Sequence, residues 1–397
     1  MTGPDCRSRA VLARHVADTL AFYHPRGVDP TGGFYHYYRD DGTIYDARTR
    51  HLVSSTRVVV NFALAWHHDP APRWREALLH ALDFLRAAHR DRDTGGYAWT
   101  LRWDGRRATP LDATNHCYGL AFVVLAYAHA VLAGVDAARA HLEETADLME
   151  RRFWEPAAGL YADEATADWS VLSPYRGQNA NMHACEAMLA AWEATRAPRY
   201  LDRAATLAEH VTVRQAALSG GLVWEHFRPD WSVDWEYNRH DRMNIFRPWG
   251  HQSGHLTEWA KLLLVLEGQR PADWLLPRAA ALFDAAMQRA WDHEHGGLVY
   301  GFGPDGAWCD DDKYFWVQAE SLAAAALLGA RTGDARYWEW YDRIWAYAWA
   351  WFVDRRRGAW YRILRRDNRK VSDEKSPAGK VDYHTMGACW EAMGVLR

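Results

Sequence analysis

The chain has 397 residues, of which 49% are hydrophobic and 25% charged, with a formal net charge of -4. Acidic and basic residues are interspersed, so no basic stripe exists to follow a phosphate backbone and no nucleic-acid partner is expected. No apolar run approaches the ~20 residues of a membrane span and residues 1–9 lack an apolar leader, which makes the cytoplasm the expected address and a membrane partner unexpected.

In chain order, apolar residues recurring at three and four positions predict twelve amphipathic helices. They cover 5–23, 50–67, 71–89, 112–133, 136–153, 178–194, 198–216, 249–266, 271–290, 311–331, 334–353 and 383–396. A glycine-aromatic or glycine-apolar signature follows each odd-numbered helix: Gly32-Gly33-Phe34-Tyr35, Gly95-Gly96-Tyr97, Gly159-Leu160-Tyr161, Gly220-Gly221-Leu222, Gly296-Gly297-Leu298 and Gly358-Ala359-Trp360-Tyr361. The last glycines of successive copies are 61 to 63 residues apart, with one step of 76.

A helix pair of that size cannot bury its apolar face alone, so six copies share one core and residues 1–397 form a single domain. The expected fold is all-α: an (α/α)6 barrel with even helices inside and odd helices outside, an open superhelix being the competing arrangement. The long step places its excess in 227–248, a polar and aromatic stretch with Trp231, Trp235, Tyr237, Arg239 and Arg247. Such an irregular loop in a compact domain is expected to be a lid.

The first turns of the even helices carry large polar residues just before the sequence becomes apolar. These are Ser54-Ser55-Thr56-Arg57; Asp112, Asn115 and His116; Asn179, Asn181, His183 and Glu186; His251, His255 and Glu258; Lys313, Trp316, Gln318 and Glu320; and Asp382 with His384. If the even helices line the ring, all six clusters meet at one mouth, and a polar face turned inward there requires water or a ligand. Three of them share an i, i+4, i+7 spacing that would put Asp112/His116/Gly119, Asn179/His183/Glu186 and His251/His255/Glu258 each on one helical face. Taken singly, each residue also has an ordinary structural explanation: Arg57 as an internal ion-pair partner, Asn179 or Asn181 as a cap, Trp316 as core.

Other chemistries find little support. His251 and His255 are four apart but lack the glutamate of H-E-x-x-H, so no metal is expected. There is no G-x-S-x-G elbow, no G-x-G-x-x-G and no P-loop, which leaves serine nucleophiles and nucleotide cofactors without a motif. Five widely spaced cysteines (Cys6, Cys117, Cys185, Cys309, Cys389), with no C-x-x-C pair, read as reduced, mostly buried thiols.

The six glycine copies, the stretch HLVSSTRVVVNFALAW at 51–66, NANMHACEA at 179–187, GHLTEWAKLLL at 254–264 and KVDYHTMGACWE at 380–391 together resemble the N-acylglucosamine 2-epimerase superfamily. The resemblance covers nearly the whole chain, its most specific piece is the H-x-x-E-W at His255, and 51–66 is most similar to the aldose-ketose isomerases acting on D-mannose. It implies an (α/α)6 barrel with a metal-free, cofactor-free sugar site and two histidines as acid and base. By motif these match His255 and His384, with Glu258 supporting the first and Arg57 and His183 contacting sugar oxygens. Trp316, Gln318 and Glu320 match a further pocket stretch. Asn115, His116, Asn181, Arg247 and His251 complete the candidate substrate-binding set; the resemblance assigns no role to His251.

On this resemblance the expected reaction interconverts D-mannose and D-fructose through a cis-enediol or enediolate, with D-lyxose as a further candidate substrate and a monomer or homodimer as the assembly. Imidazole titrates near neutrality and suits the proton transfer, His384 being assigned to C2/C1 and His255 to ring opening and the oxygen proton. Arg57 would stabilise charge developing on O1 and O2. A sugar 2-epimerase of mannose/glucose, N-acylglucosamine or cellobiose type is the nearest alternative. A glycoside hydrolase using two of Glu186, Glu258, Glu320 and Asp382 is more distant, and a non-catalytic sugar binder more distant still.

Overall fold

The computed structural model describes residues 3–241, 244 and 246–396. Twelve α-helices form among them: α1 (Arg9–Tyr23), α2 (Leu52–His68), α3 (Pro72–Phe84), α4 (Cys117–Leu132), α5 (Ala138–Arg152), α6 (Gln178–Thr195), α7 (Pro198–Glu209), α8 (Ser253–Gln269), α9 (Leu275–Ala290), α10 (Phe315–Thr332), α11 (Ala335–Trp351) and α12 (Tyr383–Val395). Local chemistry marks several ends. Pro72 and Pro198 open α3 and α7, where a missing N–H costs nothing. Gly333 ends α10 in the left-handed region at φ 71°, and Asp334 then caps α11 by accepting from the Arg336 N–H.

The even helices pack against one another in the order α2, α4, α6, α8, α10, α12 and back to α2, which closes the ring. Each odd helix lies outside against an even one, α1 on α12 and the others on their chain neighbours. This is the expected (α/α)6 barrel. The inner position explains why α4 is apolar nearly all round, with 13 of its residues buried from Cys117 to Val131, whereas the outer α5 buries one stripe. Among the described residues no helix is long and apolar enough to cross a membrane.

Short antiparallel strands at one end stitch each repeat to the next. The residues leading into an inner helix pair with those that follow the next glycine signature: His51 opposite Thr100, His116 opposite Glu164, Gly177 opposite His226, His251 opposite Phe302 and Tyr314 opposite Ile363. Tyr38 opposite Ser376 joins the first repeat to the last. The signature glycines make the tight turn before these strands. Gly297 sits at φ 78°, and a Cβ there would lie 2.3 Å from the Tyr347 ring, so both conformation and space exclude a side chain.

This belt also corrects the predicted helix starts. Helices expected from 112, 249 and 311 begin at Cys117, Ser253 and Phe315, because the preceding residues are extended. Asp112, His116 and His251 therefore lie outside α4 and α8, and of the three proposed i, i+4, i+7 faces only Asn179/His183/Glu186 is wholly helical.

Candidate functional site

All six inner helices contribute to one pocket at the belt end of the ring. Its walls include Val53 and Arg57 from α2, Tyr118 from α4, Asn179 and His183 from α6, His255 and Glu258 from α8, Phe315 and Trp316 from α10, and His384 from α12. Phe246 and Pro248 of the long loop, Tyr300, Tyr314 and Arg362 of the belt, and residues 377–380 complete it. Thus six sequence-predicted residues, Arg57, His183, His255, Glu258, Trp316 and His384, meet in one place.

Three of them share one construction: a histidine whose Nδ1 faces a glutamate. His384 Nδ1 is 2.6 Å from Glu320 Oε1, His255 Nδ1 is 2.9 Å from Glu225 Oε1, and His183 Nδ1 is 2.9 Å from Glu186 Oε2. An ionised carboxylate only accepts, so each ring carries its proton on Nδ1 and presents the Nε2 lone pair, a tautomer assigned from the partners. Burial first, and then Arg57, hold His384 down to about 4 in spite of Glu320. It is therefore a neutral base at neutral pH. Burial likewise lowers His183, against the pull of Glu186.

Trp316 lies against both catalytic candidates, its ring 5.1 Å from that of His255 and 5.8 Å from that of His384. Two aromatic rings and two hydrogen-bond acceptors hold Arg57 in place. Its guanidinium sits 4.5 Å from the Phe122 ring centre and 4.9 Å from that of Tyr383, and it donates to the Tyr118 hydroxyl at 3.3 Å and to the Gly379 carbonyl. Such clamping leaves a rigid cation facing the pocket.

Glu258 does not support His255 as expected. Both its oxygens are buried without a hydrogen-bond partner, and burial together with Glu320 and Glu186 raises its carboxyl well above the usual range. The residue that orients His255 is Glu225, which the sequence reading missed. Gln178 fixes it: the amide oxygen accepts from the Trp259 indole N–H at 2.8 Å, which turns the amide nitrogen to donate to Glu225 Oε2 at 2.9 Å. A signal for Glu225 was present in the repeat. Asp163, Glu225 and Arg362 each stand four residues after the last glycine of their signature; Arg362 lines the pocket, Asp163 a depression beside it, and Glu225 sits behind His255.

Other predicted residues serve the scaffold. Asn181 accepts from the Tyr161 N–H at 2.8 Å and donates to the Tyr161 and Gly177 carbonyls. Asn115 accepts from the Tyr97 N–H, and Gln318 both accepts from and donates to Leu298. His251 Nδ1 donates to the Val223 carbonyl at 2.8 Å. Each of these four clips the segment that follows a glycine signature to an inner helix or to the strand leading into one, and so pairs buried backbone groups. Their polarity recurs because the clip recurs. Glu320 is likewise off the pocket wall, behind His384. His116 and Arg247 line a neighbouring depression with Trp99, Glu164 and Tyr175, bordered by Tyr118, Asn179 and Phe246. There Arg247 donates to Glu164 at 2.6 Å and lies 4.0 Å over the Tyr175 ring.

Among the described residues three groups carry the donors a metal would need: Asp310/Asp311/Asp312, and at the pocket His183/Glu186/Glu258 and Glu258/Glu320/His384. The last two concern the site. The Lys261 ammonium stands among their carboxylates, 2.7 Å from Glu320 and 3.8 Å from Glu186 and Glu258. A cation is thus already supplied by the chain. His251 and His255 belong to none of these groups.

The sequence pattern of the N-acylglucosamine 2-epimerase (GlcNAc 2-epimerase) family matches residues 33–388. A protein of Marinomonas mediterranea named D-mannose isomerase is 52% identical over 397 residues, which is 100% of both chains. A crystal structure of a D-mannose isomerase is similar with a TM-score of 0.97 and 51% identity, over 99% of this chain and 100% of that one. The structure of the cellobiose 2-epimerase from Spirochaeta thermophila follows with a TM-score of 0.87 and 26% identity, over 98% of this chain and 96% of that one. With its fold, its paired histidines and this full-length similarity, the chain belongs to the N-acylglucosamine 2-epimerase family.

Proposed function

We propose that this protein is an aldose-ketose isomerase that interconverts D-mannose and D-fructose by proton transfer between two histidines and the open-chain sugar. The observation that carries the reading is the pair His255–Glu225 and His384–Glu320, two carboxylate-oriented imidazoles that both pack near Trp316 at one pocket. The full-length similarity to D-mannose isomerase supports the choice of substrate.

His384, neutral and with Nε2 free, takes the C2 proton, and Glu320 stabilises the imidazolium that results. Return of that proton to C1 on the same face of the cis-enediolate completes the transfer. His255 opens the ring and carries the proton between O1 and O2. Arg57 faces the charge that develops on those oxygens, where a fixed cation is worth most. His183 and Asn179, whose Oδ1 has no partner, hold sugar hydroxyls, and Trp316 packs on the sugar's C–H face. The 227–248 loop serves as the lid through Phe246 and Pro248, and ring and lid form one catalytic domain.

Glycoside hydrolysis fits less well, because it needs two carboxyl groups facing each other across the scissile bond. Of Glu186, Glu258, Glu320 and Asp382, only Glu258 lines the pocket. Asp382 is fully buried and bound by Lys380 and Tyr23. The test is to incubate purified protein with D-mannose and identify products by NMR. Fructose supports isomerisation; glucose alone would make the protein a 2-epimerase, and no product would refute both.

A further inference from the structure

Beneath the pocket lies a cluster that the proposed reaction leaves unused. Lys261, one turn below Glu258 on α8, is buried, and its ammonium is the hub of three glutamates from three inner helices. Two of the three hold a pocket histidine: Glu320 accepts from His384, and Glu186 accepts from His183 as well as from the Tyr383 hydroxyl at 2.6 Å. The third, Glu258, lines the pocket itself.

We propose that Lys261 is a positioning residue: its ammonium keeps Glu320 an anion, and so holds the proton of His384 on Nδ1 and leaves Nε2 free toward the substrate. The inference rests on His384 being the base of the isomerase reading above. Several buried carboxyls this close cannot all ionise without a countercharge. Burial pushes Glu320 upward, but Lys261, ahead of His384, brings it down to about 2. Burial lowers Lys261 in turn, and Glu320, Glu258 and Glu186 more than restore it. The other ionisable groups facing the cluster are Arg57 on α2, Tyr118 and His129 on α4, His183 on α6, and Tyr383 and Glu391 on α12.

Removing the ammonium lets Glu320 take up a proton. A protonated Glu320 donates its O–H to His384 Nδ1, the ring proton moves to Nε2, and the base then points a donor at C2 where an acceptor is needed. Lys261 also stands where a divalent ion would bridge the same carboxylates, so it performs electrostatically what a metal would do in that place.

The experiment compares Lys261→Met, Lys261→Arg, Glu320→Gln and the double variant Lys261→Met/Glu320→Gln. For each, kcat and KM for D-mannose are measured across pH, and the His384 tautomer is read by ¹⁵N NMR with His384→Asn as the assignment control. Lys261→Met should lower kcat by about 10²-fold or more with KM within a few fold, and move the acid limb of kcat/KM to higher pH. Its His384 should carry the proton on Nε2. Lys261→Arg should keep the limb and the tautomer. In the Glu320→Gln background, losing Lys261 should cost little further, because both act through one carboxylate.

An unmoved limb and tautomer in Lys261→Met would overturn the inference, as would a double variant that loses the product of the two single losses. Should Lys261→Met fail to fold, the comparison of the double variant with Glu320→Gln decides by itself. Wild-type protein inert toward D-mannose would refute the isomerase reading, whereas the NMR tautomer tests Lys261 without turnover.

Discussion

Replacing Glu225 by Gln perturbs one bond and leaves the shape of the site intact. Glu225 is 3% exposed, and its Oε1 accepts from His255 Nδ1 at 2.9 Å while Oε2 is held by Gln178. A charge-assisted bond of this kind is worth about 1.5–3 kcal/mol. The larger consequence concerns the tautomer. With two amides beside it, Nδ1 meets donors only, so the ring proton moves to Nε2 and the imidazole presents a donor where it should accept. Loss of the correct tautomer in a histidine–carboxylate pair costs about 10⁴-fold in kcat at the upper limit, and about 10²-fold is expected where the second histidine carries the C2 step. That range is roughly 3–5 kcal/mol in the barrier, at about 1.4 kcal/mol per decade. KM should change by no more than about threefold. The assay is the initial rate of fructose formation from D-mannose, with circular dichroism to show that the variant is folded. A folded Glu225→Gln protein with kcat within threefold of wild type would refute the role given to His255.

Other substitutions separate the site from its scaffold. Arg57→Lys keeps the charge but loses the planar fork packed against Phe122 and Tyr383, and should lower kcat/KM by about 10²–10³-fold with little change in melting temperature; near wild-type turnover would contradict its placement over the developing charge. Asn181→Ala removes the side-chain partner of the Tyr161 N–H and of the Tyr161 and Gly177 carbonyls, and should cost about 1–3 kcal/mol of stability in denaturant titration without altering KM; a raised KM at unchanged stability would return it to the substrate. Burial pushes His15, His89 and His226 down to about 4, against about 6.5 unfolded. Between those values the unfolded chain binds more protons, so their stabilisation is full above about 6.5 and is lost as pH falls toward 4, on the order of 1–2 kcal/mol each between pH 7 and 5. Thermal melting should therefore be lower at pH 5 than at pH 7, and an equal or higher melting temperature at pH 5 would contradict this.

The barrel was legible because its period is written in glycines that must turn and in apolar stripes that must pack. Helix starts were not. Residues such as His251 and His116 continue the helical polar spacing, yet strand pairing with the next repeat takes them into the belt, a tertiary contact that local pattern does not carry. The same limit explains the mixture at the mouth. Asn115, Asn181, Gln318 and His251 look like ligand groups in sequence because a buried clip and a sugar ligand need the same donors and acceptors. Arg57, His183, His255, Trp316 and His384 were found by place and motif. Glu225 was missed because its partner is 30 residues away on another element. Its phase in the repeat, shared with Asp163 and Arg362, was the available signal.

The claim that two imidazoles move protons at one hexose is tested most directly by running the purified enzyme on unlabelled D-mannose in D₂O through many turnovers. Protons held on histidine nitrogens exchange with solvent, so deuterium should accumulate at C1 of fructose and C2 of mannose, and substitution of His384 by Asn should abolish both turnover and incorporation. A sugar pool that equilibrates yet stays free of deuterium, or a His384→Asn protein that still incorporates it at the wild-type rate, would contradict the mechanism.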